Sequence, residues 1–530
     1  MNKALMIGLD GATFSLLKPL MDDGIMPFLK KFLSEGVHGD LMSTPNPLTP
    51  PAWISMVTGR SPNVHGVHDF LRPESSNGDV FLKINDSRDI RCETLWSMAS
   101  RQGKRVTSLN FFGMSPPVPI NGYLISGFMP WKHLRSATYP STFFDNLKSL
   151  PNFNYKNLGM DISEEKKCVQ GLDEGEHESW ITVHSQRGKA WADVLYYLME
   201  TDPTDLSAIV FDGPDKIQHL FWRYLDPVLV ETNPSPHDAR IRELCLNHFR
   251  ELDAIIERLV FLAGPETNVI MTSDHGFGAT TEVVYLNEWL ARNGYLKWAQ
   301  KAEVDSRGKL TADRMKDHLM MIDWKNTHAY CPTPSSNAIF IQKDNGSGKG
   351  VKDEDYGEFC AKLKQQLLEY KNPADGEQIF VNVELNKRER SPDTDGLPDI
   401  NIKLRDSGFV SILKSTEVVK PREKPEGTHR PNGIFIARGP DIEVGQQIQP
   451  LSILDITPLL LYFLGLPVPK DLEGRVPTEI LRTATLMNHP AERQGVTKSL
   501  QDEADEPRED ASDEEKEALM AQLKLLGYMD

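Results

Sequence analysis

Three apolar runs in this chain end in an acidic residue, and that recurrence constrains the fold more than any other feature. "ALMIGLD" closes on Asp10, "LSAIVFD" on Asp212, and "NVIMTSDHG" contains Asp274 and His275 at its end. Continuous Val, Ile and Leu bounded by Gly and Asp read as strands buried on both faces, the pattern of a parallel sheet. Between them, "PFLKKFLSEG" (27–36) and "HFRELDAIIERLVFLAG" (248–264) carry the apolar spacing of amphipathic helices. The expected fold is therefore α/β, a mostly parallel central sheet flanked by helices. Ligands of such sheets bind beyond the carboxyl ends of the strands, so the acidic ends are expected to share one rim.

The alternation weakens between 286 and 424, where "KDNGSGKGVKDEDYG" and "ELNKRERSPDTDGLPD" read as loops of an inserted cap. The core is expected to comprise 1–285 and 425–482. The remainder, 483–530, turns acidic: Gln501 to Ala518 holds ten Asp and Glu against Arg508 and Lys516, the composition of a solvated, partly disordered tail. "EALMAQLKLLGYM" near its end is expected to form a short terminal helix.

A formal net charge of -17 disfavours a nucleic-acid binder, because neutralising phosphates needs a basic surface. Cys92, Cys168, Cys245, Cys331 and Cys360 are scattered, with no CxxC pair, so neither a disulfide framework nor a thiolate zinc site is expected. Reduced thiols, and an N-terminal apolar stretch too short for a signal-peptide core, fit the cytoplasm. No apolar run approaches the ~20 residues of a membrane span, so no stable membrane insertion is expected. Oligomeric state leaves no mark in the sequence.

The chemistry-bearing residues lie on the expected rim. In "TPPAWISMVTGRSPNVHG", Thr49 sits on a proline-stiffened bend before a helix, either as a cap or as a hydroxyl aimed at an anion site. Asp215 and His219, four apart, project from one helix face. Asp274 and His275 are adjacent, and Gly276 after them is expected to permit the turn that presents both. His429 falls in a loop before "NGIFIARG". Oxygen and imidazole ligands without cysteine suit zinc or manganese in a site with open positions. Each element alone also has a plain reading: a surface helix pair, an Asx turn, an N-cap. His65 reads as structural, "GSGKG" lacks P-loop spacing, and "HD" at 68–69 has no matching ligand set.

Taken together, "IGLDG", "LTPPAWISMVTGRSPNVHGV", "PDKIQH", "SDHGFG" and "GTHRPNGIF", in that order over roughly residues 3 to 440, resemble the alkaline phosphatase superfamily, in particular its type I phosphodiesterase and nucleotide pyrophosphatase family. "LSILDITPLLLYFLGLPVP" extends the likeness to about residue 475. The resemblance implies an alkaline-phosphatase-like fold with two divalent metal ions, zinc first and manganese second. One ion would be held by Asp215, His219 and His429, the other by Asp10, Asp274, His275 and Thr49. It further implies a small phosphorylated substrate, with Thr49 as the nucleophile and a phosphothreonine intermediate. Backbone N–H groups around Pro51 to Trp53 are expected to help bind the phosphoryl oxygens.

One departure stands out. Phe70 occupies the position where the family has a phosphate-contacting asparagine, and Asn110, at the end of "VTSLNF", is the candidate substitute. A sulfatase is disfavoured, since Thr49 replaces the Cys or Ser of its C/S-x-P-x-R motif and Trp53 its Arg. Phosphomonoesterase and phosphonate hydrolase stay open as alternatives. A catalytically silent binding protein on this fold is the alternative from another class; it predicts a missing ligand, and all seven positions carry the expected type.

Overall fold

The computed structural model describes residues 3–76, 79–160, 174–300, 321–344, 350–386 and 396–498. The expected terminal helix, most of the acidic tail and parts of both cap loops lie outside these residues.

Across the central sheet the strands run Gln446–Gln447, Val37–Met42, Asn432–Arg438, Thr267–Thr272, Lys3–Leu9, Leu206–Phe211, Val106–Phe111, Gly122–Ser126 and Thr138–Tyr139. From Thr267–Thr272 to Gly122–Ser126 all pairings are parallel. Asn432–Arg438 is antiparallel to both neighbours, and Thr138–Tyr139 closes the far edge antiparallel. Every residue of the Thr267–Thr272, Leu206–Phe211 and Val106–Phe111 strands is buried, which is why they read as unbroken apolar runs.

Alternate residues of one strand serve two cores. Leu5, Ile7 and Leu9 face the helices Phe14–Asp22, Pro27–Ser34, His177–Thr201 and Pro236–Ala263, whereas Ala4 and Met6 face Thr49–Thr58, Leu95–Arg101 and Ile456–Phe463. The helix expected from residue 248 begins at Pro236. Ser235 caps it by accepting from the Asp238 amide at 3.1 Å, and Pro236 fixes the first turn.

Between the two core segments lies a smaller sheet, ordered Ala329–Tyr330, Ala338–Ile341, Ile400–Leu404 and Phe380–Leu385, over an apolar core of its own. A ribbon, Gly276–Tyr285 paired antiparallel with Val419–Arg430 and flanked at its outer end by Val410–Ser411, joins it to the main sheet. After Leu481 the chain stays against the core through Lys498: Tyr462 donates to the His489 carbonyl at 2.6 Å, and the Lys498 amide donates to Glu93 at 2.8 Å.

Candidate functional site

Asp10 follows the Lys3–Leu9 strand, Asp212 follows Leu206–Phe211, and Ser273 to His275 follow Thr267–Thr272, so the acidic strand ends do share one rim. The helix Thr49–Thr58 starts beside them. It is wholly buried, ends at Gly59 in the left-handed conformation (φ 65°), and lies close to the first strand. That approach requires Gly8, where a Cβ would stand 2.5 Å from the Trp53 ring. Trp53 Nε1 then donates to Asp10 Oδ2 at 3.1 Å, tying helix to strand end. His65 is structural. Its Nδ1 accepts from the Val67 amide at 3.2 Å, which leaves Nε2–H to donate to Ser55 Oγ at 2.9 Å, and burial pushes its pKa down to about 3.

Asp215 and His219 lie in the helix Gly213–Leu225, whose Gln218 donates to the Gly11 carbonyl at 2.9 Å and so fastens it to the rim. Two local expectations are corrected. His429 is in a strand rather than a loop, paired with Phe277 across the ribbon. Gly276 has no left-handed backbone; its missing side chain matters because a Cβ would lie 2.0 Å from the carbonyl oxygen of Asn432, where the chain passes from the His429 strand into the main sheet.

These elements bring the seven expected residues into two adjoining groups. In the first, His429 Nε2 is 3.1 Å from Asp215 Oδ1 and 3.0 Å from His219 Nε2, and His219 Nε2 is 3.3 Å from the same Asp215 oxygen. In the second, His275 Nε2 is 3.2 Å from Asp274 Oδ2, 3.6 Å from Asp10 Oδ1 and 3.5 Å from Thr49 Oγ1. The His275 and His429 rings stack at 3.6 Å between centroids, joining the groups. All but His219, which is half-buried, are buried.

Tautomers follow from the outer hydrogen bonds. His429 Nδ1–H donates to the Pro47 carbonyl at 2.8 Å and His275 Nδ1–H to the Gly276 carbonyl at 3.1 Å, so each ring turns an Nε2 lone pair inward. Burial drives the pKa of His275 well down, with His429 adding to it, and burial also lowers that of His429. Asp10 and Asp274 are pushed well above the usual carboxylate range, first by burial and then by neighbouring carboxylates. Burial works the same way on Asp215, but the imidazoles of His219 and His429 outweigh it and hold its carboxyl well below that range.

Lone pairs therefore face one another. Asp10 Oδ1 and Asp274 Oδ2 are buried without any hydrogen-bond donor among the described residues. Buried acceptors left in that state are costly, and a cation is the group that satisfies them together. Asp10, Asp274 and His275 have ligand atoms close enough to hold an ion, as do Asp215, His275 and His429. Hard oxygen and imidazole donors fit a divalent ion, so the residues present match the group the sequence implies.

Asn110 is wholly buried, with φ 64°, and its Nδ2 donates to the Val210 carbonyl at 2.9 Å and to Asp212 at 3.3 Å, so that donor is engaged inside the fold. The helix start offers less to a phosphate than its sequence promises, because Pro50 and Pro51 lack N–H groups and the Ala52 amide donates to Leu48 at 3.0 Å. Two contacts escaped the sequence reading. One is the Trp53 bond to Asp10. The other is Arg187, whose guanidinium lies 3.2 Å from Asp212 with both side chains 3% exposed.

Comparison with known proteins gives the family and the fold. A family model for type I phosphodiesterase / nucleotide pyrophosphatase matches residues 4–432. The solved structure of murine ectonucleotide pyrophosphatase / phosphodiesterase 5 is 15% identical, with a TM-score of 0.50 over 91% of this chain and 100% of that one. An inactive variant of that murine protein in complex with AMP is 16% identical, with the same coverage and TM-score. At such identities the likeness is one of fold. Among curated proteins none matches the sequence. Among the described residues no helix is long and apolar enough to cross a membrane.

Proposed function

The chain belongs to the type I phosphodiesterase / nucleotide pyrophosphatase family and is a phosphoric ester hydrolase; from that premise we propose that it cleaves phosphodiesters through Thr49. The observation that carries the reading is Thr49 Oγ1, 3.5 Å from His275 Nε2, at the edge of two groups of buried acceptors.

Asp215, His219 and His429 would hold one divalent ion, and Asp10, Asp274, His275 and Thr49 the other, with zinc the first candidate and manganese the second. When bound, such ions lower the pKa of a hydroxyl and of water and stabilise a leaving oxygen. Thr49 Oγ attacks phosphorus in line; the P–O bond to the leaving alcohol breaks, and phosphothreonine forms. Water then attacks the phosphorus, the Thr49 Oγ–P bond breaks, and the phosphate monoester departs. The chain's own contribution is placement. Trp53 holds Asp10, the Pro47 carbonyl orients His429, and the buried helix holds Thr49 at its first position.

Because the murine structure is a complex with AMP, nucleotide diesters and pyrophosphates are the first natural substrates to try. Hydrolysis of bis-p-nitrophenyl phosphate by the metal-loaded chain, beside Thr49→Ala, is the direct test. The expected result is turnover in the native protein and a loss of about 10⁴-fold or more in the variant. Full activity in Thr49→Ala would sink the reading. A higher kcat/KM on the mono-p-nitrophenyl ester would favour a phosphomonoesterase, and on a phosphonate ester a phosphonate hydrolase.

A further inference from the structure

The "HD" pair at 68–69, set aside as a metal motif, acquires a different role in the fold. Asp69 is 3% exposed and its carboxylate is turned to the cap. Oδ2 accepts from the Thr333 hydroxyl and from Ser336 Oγ at 2.8 Å; Oδ1 accepts from Ser335 Oγ at 2.9 Å and from the Phe70 amide at 2.6 Å. The three hydroxyls belong to one cap loop, so a single buried charge gathers that loop onto the core through charge-assisted bonds.

The contact continues toward Thr49. The Ser335 carbonyl accepts from Asn46 Nδ2 at 2.9 Å. The Asn46 carbonyl accepts from Thr44 Oγ1 at 2.5 Å and from the Leu48 amide at 2.8 Å, closing a tight bend directly before the helix. The carbonyl of Pro47, inside that bend, holds His429. Leu48, the residue before the helix, has no side-chain cap bond, so the entry of the chain into the helix at Thr49 is set by this bend.

We propose that Asp69 is a positioning residue for the reaction: by holding loop 333–336 against Asn46 it fixes the 44–48 bend, and with it the line along which Thr49 Oγ meets phosphorus. The cap is thereby coupled to the nucleophile as well as to the substrate. The proposal rests on Thr49 being the nucleophile, and its test separates the two.

Asp69→Asn removes the charge while keeping the shape, Asn46→Leu removes the far end of the contact, and Ser335→Ala deletes one hydroxyl donor to the buried carboxylate while keeping Asp69 itself. Each is assayed in the full, metal-loaded chain with bis-p-nitrophenyl phosphate, alongside metal content and thermal midpoint. We expect kcat to fall about 10- to 100-fold in Asp69→Asn and Asn46→Leu, with KM and bound metal little changed, as for a small misplacement of a reacting atom. The double variant is expected to be no worse than the poorer single, because both cut one path. Ser335→Ala is expected to move kcat the same way by less, and keeps the test informative should Asp69→Asn fail to fold. Unchanged kcat in Asn46→Leu and Ser335→Ala, with Thr49→Ala inactive, overturns the role of Asp69 and leaves the nucleophile standing. Losses that multiply in the double variant overturn it too, since Asp69 would then act independently of Asn46. An active Thr49→Ala overturns the reading beneath both.

Discussion

The Nε2 atoms of His219 and His429 lie 3.0 Å apart, and each is within 3.3 Å of the same oxygen of Asp215. Two imidazole nitrogens at that distance share at most one hydrogen, and the bond from His429 Nδ1 to the Pro47 carbonyl leaves its Nε2 as an acceptor. The arrangement is that of a ligand set. Replacing either histidine by Ala is expected to lower bound divalent metal from two ions to one per chain by elemental analysis. The rate on a phosphodiester should fall about 10²- to 10³-fold, the scale of losing one preorganised electrostatic group. Stripping the native protein with a chelator should lower its thermal midpoint, and ion at a thousand times its Kd should restore about 4 kcal/mol. A midpoint indifferent to chelator would contradict the site.

Trp53→Phe tests the bond that steadies Asp10. Phenylalanine keeps an aromatic ring in the helix but lacks the N–H that reaches Asp10 Oδ2 at 3.1 Å, and with it the outer ring atoms that lie against Gly8. Partners of metal ligands set affinity as well as orientation, so the expected effect is a roughly 10- to 100-fold weaker affinity for the ion at Asp10. Titration with zinc in a competing chelator measures it, and the thermal midpoint of the metal-free form shows whether packing was disturbed.

Arg187 balances a buried charge behind the site. Its partner Asp212 stays below the usual carboxylate range because Arg187, with help from His184, overcomes the opposing effect of burial. Arg187→Met strands that carboxylate, and the expected loss is about 3–5 kcal/mol by urea denaturation. Adding Asp212→Asn should recover part of it. A double variant as unstable as the single would mean that the pair contributes through packing alone.

Acid should weaken the fold through three histidines outside the metal groups. Burial pushes His65, His184 and His248 each down to about 3, whereas in the unfolded chain they titrate near about 6.5. Between those values the unfolded chain binds protons that the native state refuses. Their stabilising contribution is therefore complete above pH about 6.5 and is lost as pH falls through about 3. His184, neither of whose ring nitrogens has a hydrogen-bond partner among the described residues, is the simplest to remove. Comparing urea midpoints at pH 7 and pH 5, His184→Leu should lose less than the native protein does; equal losses would exclude His184 as a source of the acid sensitivity.

Legibility in the sequence tracked how local each signal is. Asp10, Asp274 and His275 stood out because a doubly buried strand must stop at a polar residue, and Asp215 with His219 because helical spacing places them on one face. His429 was legible as a rim residue from the apolar run "NGIFIARG" that follows it, but as part of a loop. Its strand, "VKPREKPEGTHR", has Pro421 and Pro425 and little apolar alternation, so period-two reasoning passes over it, and the ribbon exists because Gly276–Tyr285 pairs with it. The Trp53, Arg187 and Asp69 contacts join residues far apart in the chain, where neither propensity nor periodicity carries information. The early start of the helix at Pro236 was missed because its first turns lie on the surface, where apolar spacing is weak, although Ser235-Pro236 is a recognisable start.

The ribbon also sets the terms on which this enzyme could be re-engineered. Both connections between core and cap pass along it, and His429 sits at its root, opposite Phe277. A foreign cap spliced at the outer end, near Tyr285 and Val419, would leave the ligand set whole but would have to resupply the hydroxyls that hold Asp69, whereas a junction a few residues further inward would cut into the catalytic machinery itself.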